Sequence, residues 1–283
     1  MAEFGVSSMV APLRRVAVRP PALSADYPLA HWAEPLDHSL LQEQHAAFVD
    51  LLISLGCDVA VLDRCEGQAD SCFTYDPAFV IPTGVVQLRA AKAARIDEGS
   101  ALVADLNALG VPTVGELSGS ATADGGDMFW LDDTTLAIGR TYRTNAEGVF
   151  QMSSILAEIG LSAEVFDMPH DMGPEYCLHL MSVVSPVRED LAVVYEKLAP
   201  VSLLQALSAR GISWVTVPDD EYLTIGCNVL AVRPGVVVMA EGNDKTAELL
   251  REQGVEVHFY AASEINKGEG GPTCLTRPIW RAY

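Results

Sequence analysis

The chain has 283 residues with 18 Lys and Arg against 38 Asp and Glu, a formal charge of −20. Nucleic-acid and anionic-membrane surfaces depend on clustered basic side chains, so this balance argues against both, while 49% hydrophobic and 20% charged residues suit a packed globular core rather than long disorder. No apolar run approaches the ~18 residues of a membrane span, and the opening MAEFGVSSMVAPLRRVAV lacks the order of a signal peptide, which predicts a cytoplasmic protein.

A weak internal repeat runs along the chain. Five amphipathic stretches each end in Gly and lead into a short apolar strand. They are HSLLQEQHAAFVDLLISLG with CDVAVLD at Gly56, EGSALVADLNALG with VPTVGEL at Gly110, and EGVFQMSSILAEIG with LSAEVFD at Gly160. PVSLLQALSARG with ISWVTVP at Gly211 and NDKTAELLREQG with VEVHFYA at Gly254 complete the series. Apolar residues at three- and four-residue spacing give each helix one buried stripe. Glycine supplies the left-handed residue that ends it. The glycines are about 43 to 54 residues apart, in the range of radial or stacked repeats.

A hairpin is expected between each strand and the next helix. The expected turns are Pro82–Gly84, Asp132–Asp133, Pro186–Glu189 and Pro234–Gly235. A fifth hairpin can be assembled only from the two ends, RRVAVRPP (14–21) and TCLTRPIW (273–280). That pairing would close a ring and remove open sheet edges. The pattern predicts an α/β ring of five units. No Pro/Gly/Ser-rich linker divides it, so one domain over 1–283 is expected.

Polar residues gather just before the hairpins. They include Asp76, Asp124-Gly-Gly-Asp127, Cys177-Leu-His179, Gly226-Cys-Asn228 and Gly271-Pro-Thr-Cys274. Equivalent positions in a ring lie at equivalent radii, so a thiol, an imidazole and carboxylates would meet near its axis. Each has a structural alternative. Cys274 could be a small buried hydrophobe, His179 a core histidine, and Asp76 or Asp127 a turn former. Cys57, Cys65, Cys72, Cys177 and Cys227 read as packing or unremarkable positions. The six cysteines are expected as reduced thiols, with no CxxC pair and no zinc spacing.

In this ordered set, Phe73-Thr-Tyr-Asp76, Asp124-Gly-Gly-Asp127, Arg143-Thr-Asn145, Cys177-Leu-His179-Leu, Gly226-Cys-Asn228 and Gly271-Pro-Thr-Cys274, the chain resembles the guanidino-group modifying superfamily. Its members include the dimethylarginine dimethylaminohydrolases, the arginine deiminases and the amidinotransferases. The resemblance is strongest to the first and covers about residues 10 to 280. It implies a five-bladed α/β propeller of ββαβ units with Cys274 as nucleophile and His179 as general acid and base. It further implies Asp124 beside that histidine and Asp76 on the guanidinium. Arg143 and, in looser context, Arg95 would hold a substrate carboxylate, and Phe73 would line the pocket. Tyr75 departs from an acidic residue found in some dimethylargininases, and Tyr27–Trp32 stands where the family has a substrate-covering loop.

The expected reaction is hydrolysis at the guanidinium carbon of arginine or an N-substituted arginine, through a covalent thiouronium. The product would be a ureido compound such as citrulline, with no metal or organic cofactor. Deiminase chemistry with ammonia leaving, amidinotransfer to an amine, and a non-catalytic ligand-binding propeller are the competing expectations. A small guanidino compound is the expected partner, and the helical outer faces could support a homodimer.

Overall fold

Each of the five helices ends where its glycine stands, and for one reason. Gly56, Gly110, Gly160, Gly211 and Gly254 all have φ between 72° and 91°, a conformation that other residues enter at a cost. The computed structural model describes residues 4–283.

The first unit contains β1 (Leu13–Val18), α1 (His38–Ser54) and β2 (Asp58–Val61). The second contains β3 (Ala78–Ile81), β4 (Gly84–Gln87), α2 (Glu98–Ala108) and β5 (Thr113–Glu116). The third contains β6 (Met128–Trp130), β7 (Thr135–Arg140), α3 (Ala146–Glu158) and β8 (Ser162–Asp167). The fourth contains β9 (Val184–Arg188), β10 (Leu191–Val194), α4 (Val201–Ala209) and β11 (Ser213–Thr216), followed by the short α5 (Asp219–Tyr222). The fifth contains β12 (Leu230–Arg233), β13 (Val236–Ala240), α6 (Asp244–Glu252) and β14 (Glu256–Tyr260), and β15 (Arg277–Arg281) ends the chain.

Every unit forms one three-stranded sheet. The hairpin pairs antiparallel, the helix crosses over, and the last strand returns parallel to the middle one, as in β3–β4–β5. The first sheet is completed from the far end: β15 lies antiparallel to β1, with Val16 opposite Pro278 and Ala17 opposite Arg277. This is the five-bladed ββαβ propeller, closed as expected. The helices bury one stripe each, such as Leu41, Phe48 and Leu52 in α1 or Leu203 and Leu207 in α4. No helix among the described residues is long and apolar enough to cross a membrane.

One hairpin differs from expectation. The fourth turn falls at Glu189–Asp190, and Pro186 lies inside β9 opposite Ala192. Strand β9 is at the edge of its sheet, where a residue without an N–H leaves no ladder bond unmade.

Two buried arginines fasten the closing strand. Arg277 donates to the carbonyl oxygens of Tyr75 (3.1 Å) and Ala78 (2.8 Å) and stacks 4.2 Å from the Tyr75 ring centre. Arg281 donates to Ala11 and Ala231. Both charges are thus dispersed over carbonyl dipoles, and that of Arg277 over aromatic faces as well, which limits the cost of burying them.

The helix ends offer a direct test. At Gly211 an added methyl would meet open space, so only backbone strain opposes it. Gly211→Ala should lower stability by about 1 kcal/mol, seen as a lower urea midpoint with an unchanged m-value.

Candidate active site

The segments ahead of the hairpins do converge. A cavity of about 630 Å³ is lined by Phe73, Asp76, Arg95, Asp124, Arg143, His179 and Cys274, all seven residues singled out in the sequence. Short 3₁₀ turns at Ala69–Cys72, Gly125–Asp127 and Leu180–Ser182 deliver three of these segments to it.

His179 is buried, and its Nε2 lies 3.2 Å from Oδ2 of Asp124. Its Nδ1 lies 4.0 Å from Oδ1 of Asp76. The ring rests on Gly126, where a Cβ would come within 2.3 Å of Nδ1; the glycine is required by the imidazole. The backbone N–H of His179 donates to the Ser182 hydroxyl, and that of Leu180 to Oδ1 of Asp127.

Asp127 is a scaffold residue. Its Oδ2 accepts from the hydroxyls of Thr141 (2.7 Å) and Thr144 (2.6 Å), so one carboxylate holds both the His179 turn and the turn carrying Arg143. Burial pushes its carboxyl up to about 6, against the pull of His179 and the two threonines.

Arg143 lines the cavity, its Nε has no hydrogen-bond partner, and it forms no ion pair among the described residues. Arg95 lines the same cavity, but its donors are turned towards protein partners. Its Nη1 donates to Oδ2 of Asp76 (2.7 Å), its Nε to Glu98 (2.8 Å) and its Nη2 to the Phe73 carbonyl (3.1 Å). A guanidinium so committed steadies Asp76 and has little donor capacity left for a ligand. Asp76 also accepts from the Gly126 N–H at 2.9 Å.

Phe73 is buried and stacks on Trp32, with ring centres 5.5 Å apart and planes at 18°. Trp32 donates to Asp70, which also pairs with Lys92 at 2.5 Å, and Lys92 donates to the Ala30 carbonyl. These bonds hold the Tyr27–Trp32 segment over the cavity, where Leu29, Ala30 and His31 form part of its wall. A Cβ on Gly270 would meet the Phe73 ring at 2.2 Å, so the glycines before Cys274 let the chain pass directly under that ring.

Three site residues escaped the sequence reading as functional groups. Asn228 donates through Nδ2 to the sulfur of Cys274 (3.1 Å), and its Oδ1 accepts from the Thr273 N–H (3.0 Å). Its place in the repeat was the available signal. Asp70 sits in the same pre-hairpin segment as Asp76. Cys177, read as packing, is exposed and lies 3.4 Å from both ring nitrogens of His179.

The protonation states follow from these neighbours. Burial disfavours the charged form of His179, but Cys177, Asp76, Asp127 and the Asp124 hydrogen bond outweigh it and lift its pKa well above the usual imidazole value. At neutral pH the ring is an imidazolium, a proton donor. Burial also opposes charge on Asp76, yet His179, Arg95 and the Gly126 N–H hold its carboxyl below the ordinary range. Burial and the Asp76 charge push the Cys274 thiol up to about 11, with the Gly271 backbone, His179 and Asn228 pulling the other way. These surroundings alone hold the sulfur as a thiol, and a cation placed beside Asp76 would favour the thiolate.

A half-buried thiol, an imidazolium and a line of carboxylates on a five-bladed α/β propeller define a site for a planar cation with an electrophilic carbon. The arginine deiminase family model matches residues 68–210 and 199–281, and the chain belongs to that family. It is an amidine C–N hydrolase. It is 29% identical to the N(G),N(G)-dimethylarginine dimethylaminohydrolase of Streptomyces coelicolor over 88% of this chain and 90% of that one. It is 31% identical to the arginine deiminase of Rhodococcus erythropolis over 74% of this chain, but spans 59% of that relative, and 47% of the arginine deiminase of Mycoplasma capricolum. The fold superposes on dimethylarginine dimethylaminohydrolase from Pseudomonas aeruginosa, a mutant complexed with citrulline, with TM-score 0.81 and 22% identity, covering 95% of this chain and all of that one.

The sulfur's protonation can be read by alkylation, since iodoacetamide reacts with the thiolate. Peptide mass spectrometry separates Cys274 from the exposed Cys177. In the ligand-free protein, modification of Cys274 should climb with pH towards a midpoint of about 11. Asn228→Ala, which removes a donor to the sulfur, should move that midpoint upward. A midpoint at or below the ~8.5 of a free cysteine would contradict the arrangement.

Proposed function

We propose that the protein hydrolyses the guanidinium group of arginine or an N-substituted arginine, giving a ureido product and an amine or ammonia. The observation that carries this reading is the meeting of Cys274, His179, Asp76 and an uncommitted Arg143 in one cavity.

In this reading Arg143 binds the substrate α-carboxylate, where a two-pronged charge-assisted pair gives direction as well as affinity. Asp76, itself fixed by Arg95 and Gly126, receives the guanidinium. The cation's field draws the proton from the Cys274 thiol to solvent. The thiolate then attacks the guanidinium carbon and forms a C–S bond. His179 donates its proton to the departing nitrogen as the C–N bond breaks, so a neutral amine leaves. A thiouronium remains on Cys274.

The neutral imidazole next takes a proton from water, whose oxygen attacks the same carbon. Collapse of that adduct breaks the C–S bond and releases the ureido product. Its spare proton returns to the sulfur, and the amine takes up the proton first lost to solvent. The sum is guanidinium plus water giving urea plus ammonium. Asp124 orients His179 throughout. The activities of its relatives, dimethylarginine dimethylaminohydrolase and arginine deiminase, support this class of chemistry.

Incubation with arginine, methylarginines and an amine acceptor, followed by measurement of citrulline, released amines and transferred product, tests the reading. Citrulline should form. A transferred amidino group would replace hydrolysis with amidinotransfer, and no turnover of any guanidine would overturn the proposal. Cys274→Ser should abolish turnover with the fold retained. Arg143→Ala should reduce kcat/KM by roughly tenfold or more through KM, since a hydrogen-bonded charge pair is worth ~1.5–3 kcal/mol.

A further inference from the structure

Cys274 and His179 stand at the junction of two cavities. The charged one contains Asp76, Asp124 and Arg143. The second, of about 160 Å³, shares Cys177, His179, Glu269 and Cys274 with it and otherwise has different walls. Met172, Met181, Tyr222, Leu223 and Ile225 supply its apolar surface. Apart from His179 at the junction, its charged members, Asp171 and Glu269, are both exposed. It contains about ten times the ~10–15 Å³ that one water molecule needs.

The wall is built rather than incidental. Ile225 has φ of 68°, a left-handed conformation that is a true outlier for a β-branched side chain. Such strain persists only where surrounding structure imposes it, and it concentrates at functional sites. Here the surroundings are explicit. The Gly226 N–H donates to the Glu221 carbonyl and the Asn228 N–H to that of Ile225. The buried Glu221 carboxylate accepts from the Lys245 and Thr246 N–H groups. Tyr222 stacks on Tyr195 with ring centres 3.8 Å apart. The bend that strains Ile225 is also the bend that brings Asn228 to the sulfur.

The lip is apolar and open to solvent. Leu223 is 80% exposed, Met172 57% and Tyr176 47%. Large apolar side chains that gather, exposed, around one opening mark a binding surface.

We propose that this chamber receives the N-substituent of the guanidine, and that the preferred substrate carries an uncharged, apolar substituent larger than methyl. The inference rests on the hydrolase reading above and specifies its substrate class. With the guanidinium on Asp76 and the amino-acid end towards Arg143, a substituent on the departing nitrogen has the second cavity before it. Beyond the imidazolium of His179 at the junction, the chamber's walls offer no buried charge to an ammonium or carboxylate, and that one positive charge disfavours an ammonium. Each further buried methylene is worth about fourfold in binding, so extension from methyl to propyl should bring roughly fifteenfold.

The test is a series of arginine, Nω-methyl-, Nω-propyl- and Nω-benzyl-arginine, with citrulline and each released amine quantified. Propyl-arginine should exceed methyl-arginine in kcat/KM by about tenfold or more, and the released amine should carry the substituent. Leu223→Asp changes an exposed residue and should bring that ratio towards one, and Met181→Trp, which fills the chamber, should invert it. Citrulline formation with equal or falling kcat/KM along the series overturns this inference and leaves the hydrolase reading standing. So does a ratio that neither variant moves while thermal unfolding shows both folded. Absence of citrulline from every member overturns both.

Discussion

The carboxylate of Asp76 is the interaction around which the site is assembled. One oxygen accepts from the Gly126 N–H and the other from Arg95, so it ties the second unit to the third. It also faces His179 and contributes to the charge of that ring. A buried carboxylate without such partners would take up a proton and cease to attract a cation. Arg95 and Glu98 thus serve the cavity from behind. Arg95 keeps Asp76 ionised and in place, Glu98 holds Arg95, and the cavity side of Asp76 is left to a ligand.

The sulfur and the imidazole do not rest as a preformed ion pair. The ring is charged and the thiol is not, because carboxylates surround the first and burial governs the second. Nucleophilicity therefore depends on what enters. A neutral urea brings no positive field to the sulfur, whereas a guanidinium does. The same property that selects the substrate would quiet the enzyme towards its own product.

The architecture was legible in the sequence because it is repeated. A glycine after an apolar stripe has one economical conformation, and five such signals at similar spacing leave few alternatives to a ring. Asp76, Asp124, His179 and Cys274 stood out for the same reason, since each precedes a hairpin or the closing strand, whereas Arg95 and Arg143 follow the second strand of their hairpins and were singled out only through the resemblance. What escaped lies where the sequence records only residue type. Arg95 has a long side chain, and nothing in Ala-Ala-Arg-Ile-Asp-Glu says that it turns back onto Asp76 and Glu98 instead of outward. Asn228 was in view, but its bond to a sulfur 46 positions away depends on the strained bend at Ile225. Pro186 looked like a turn residue because proline often is one; it is tolerated inside β9 because that strand lies at the edge of its sheet.

The pairing of β1 with β15 carries a consequence for the order in which the molecule acquires its parts. The other four sheets form from neighbouring stretches of chain, whereas Leu13 meets Arg281. Contacts this remote along the polypeptide are the slowest to be made, since the closure entropy of the intervening loop comes first. Cys274 lies on the approach to that last strand. During folding, the reactive thiol would arrive after the pocket that awaits it has taken shape, and partly folded chains would keep sulfur and imidazole apart.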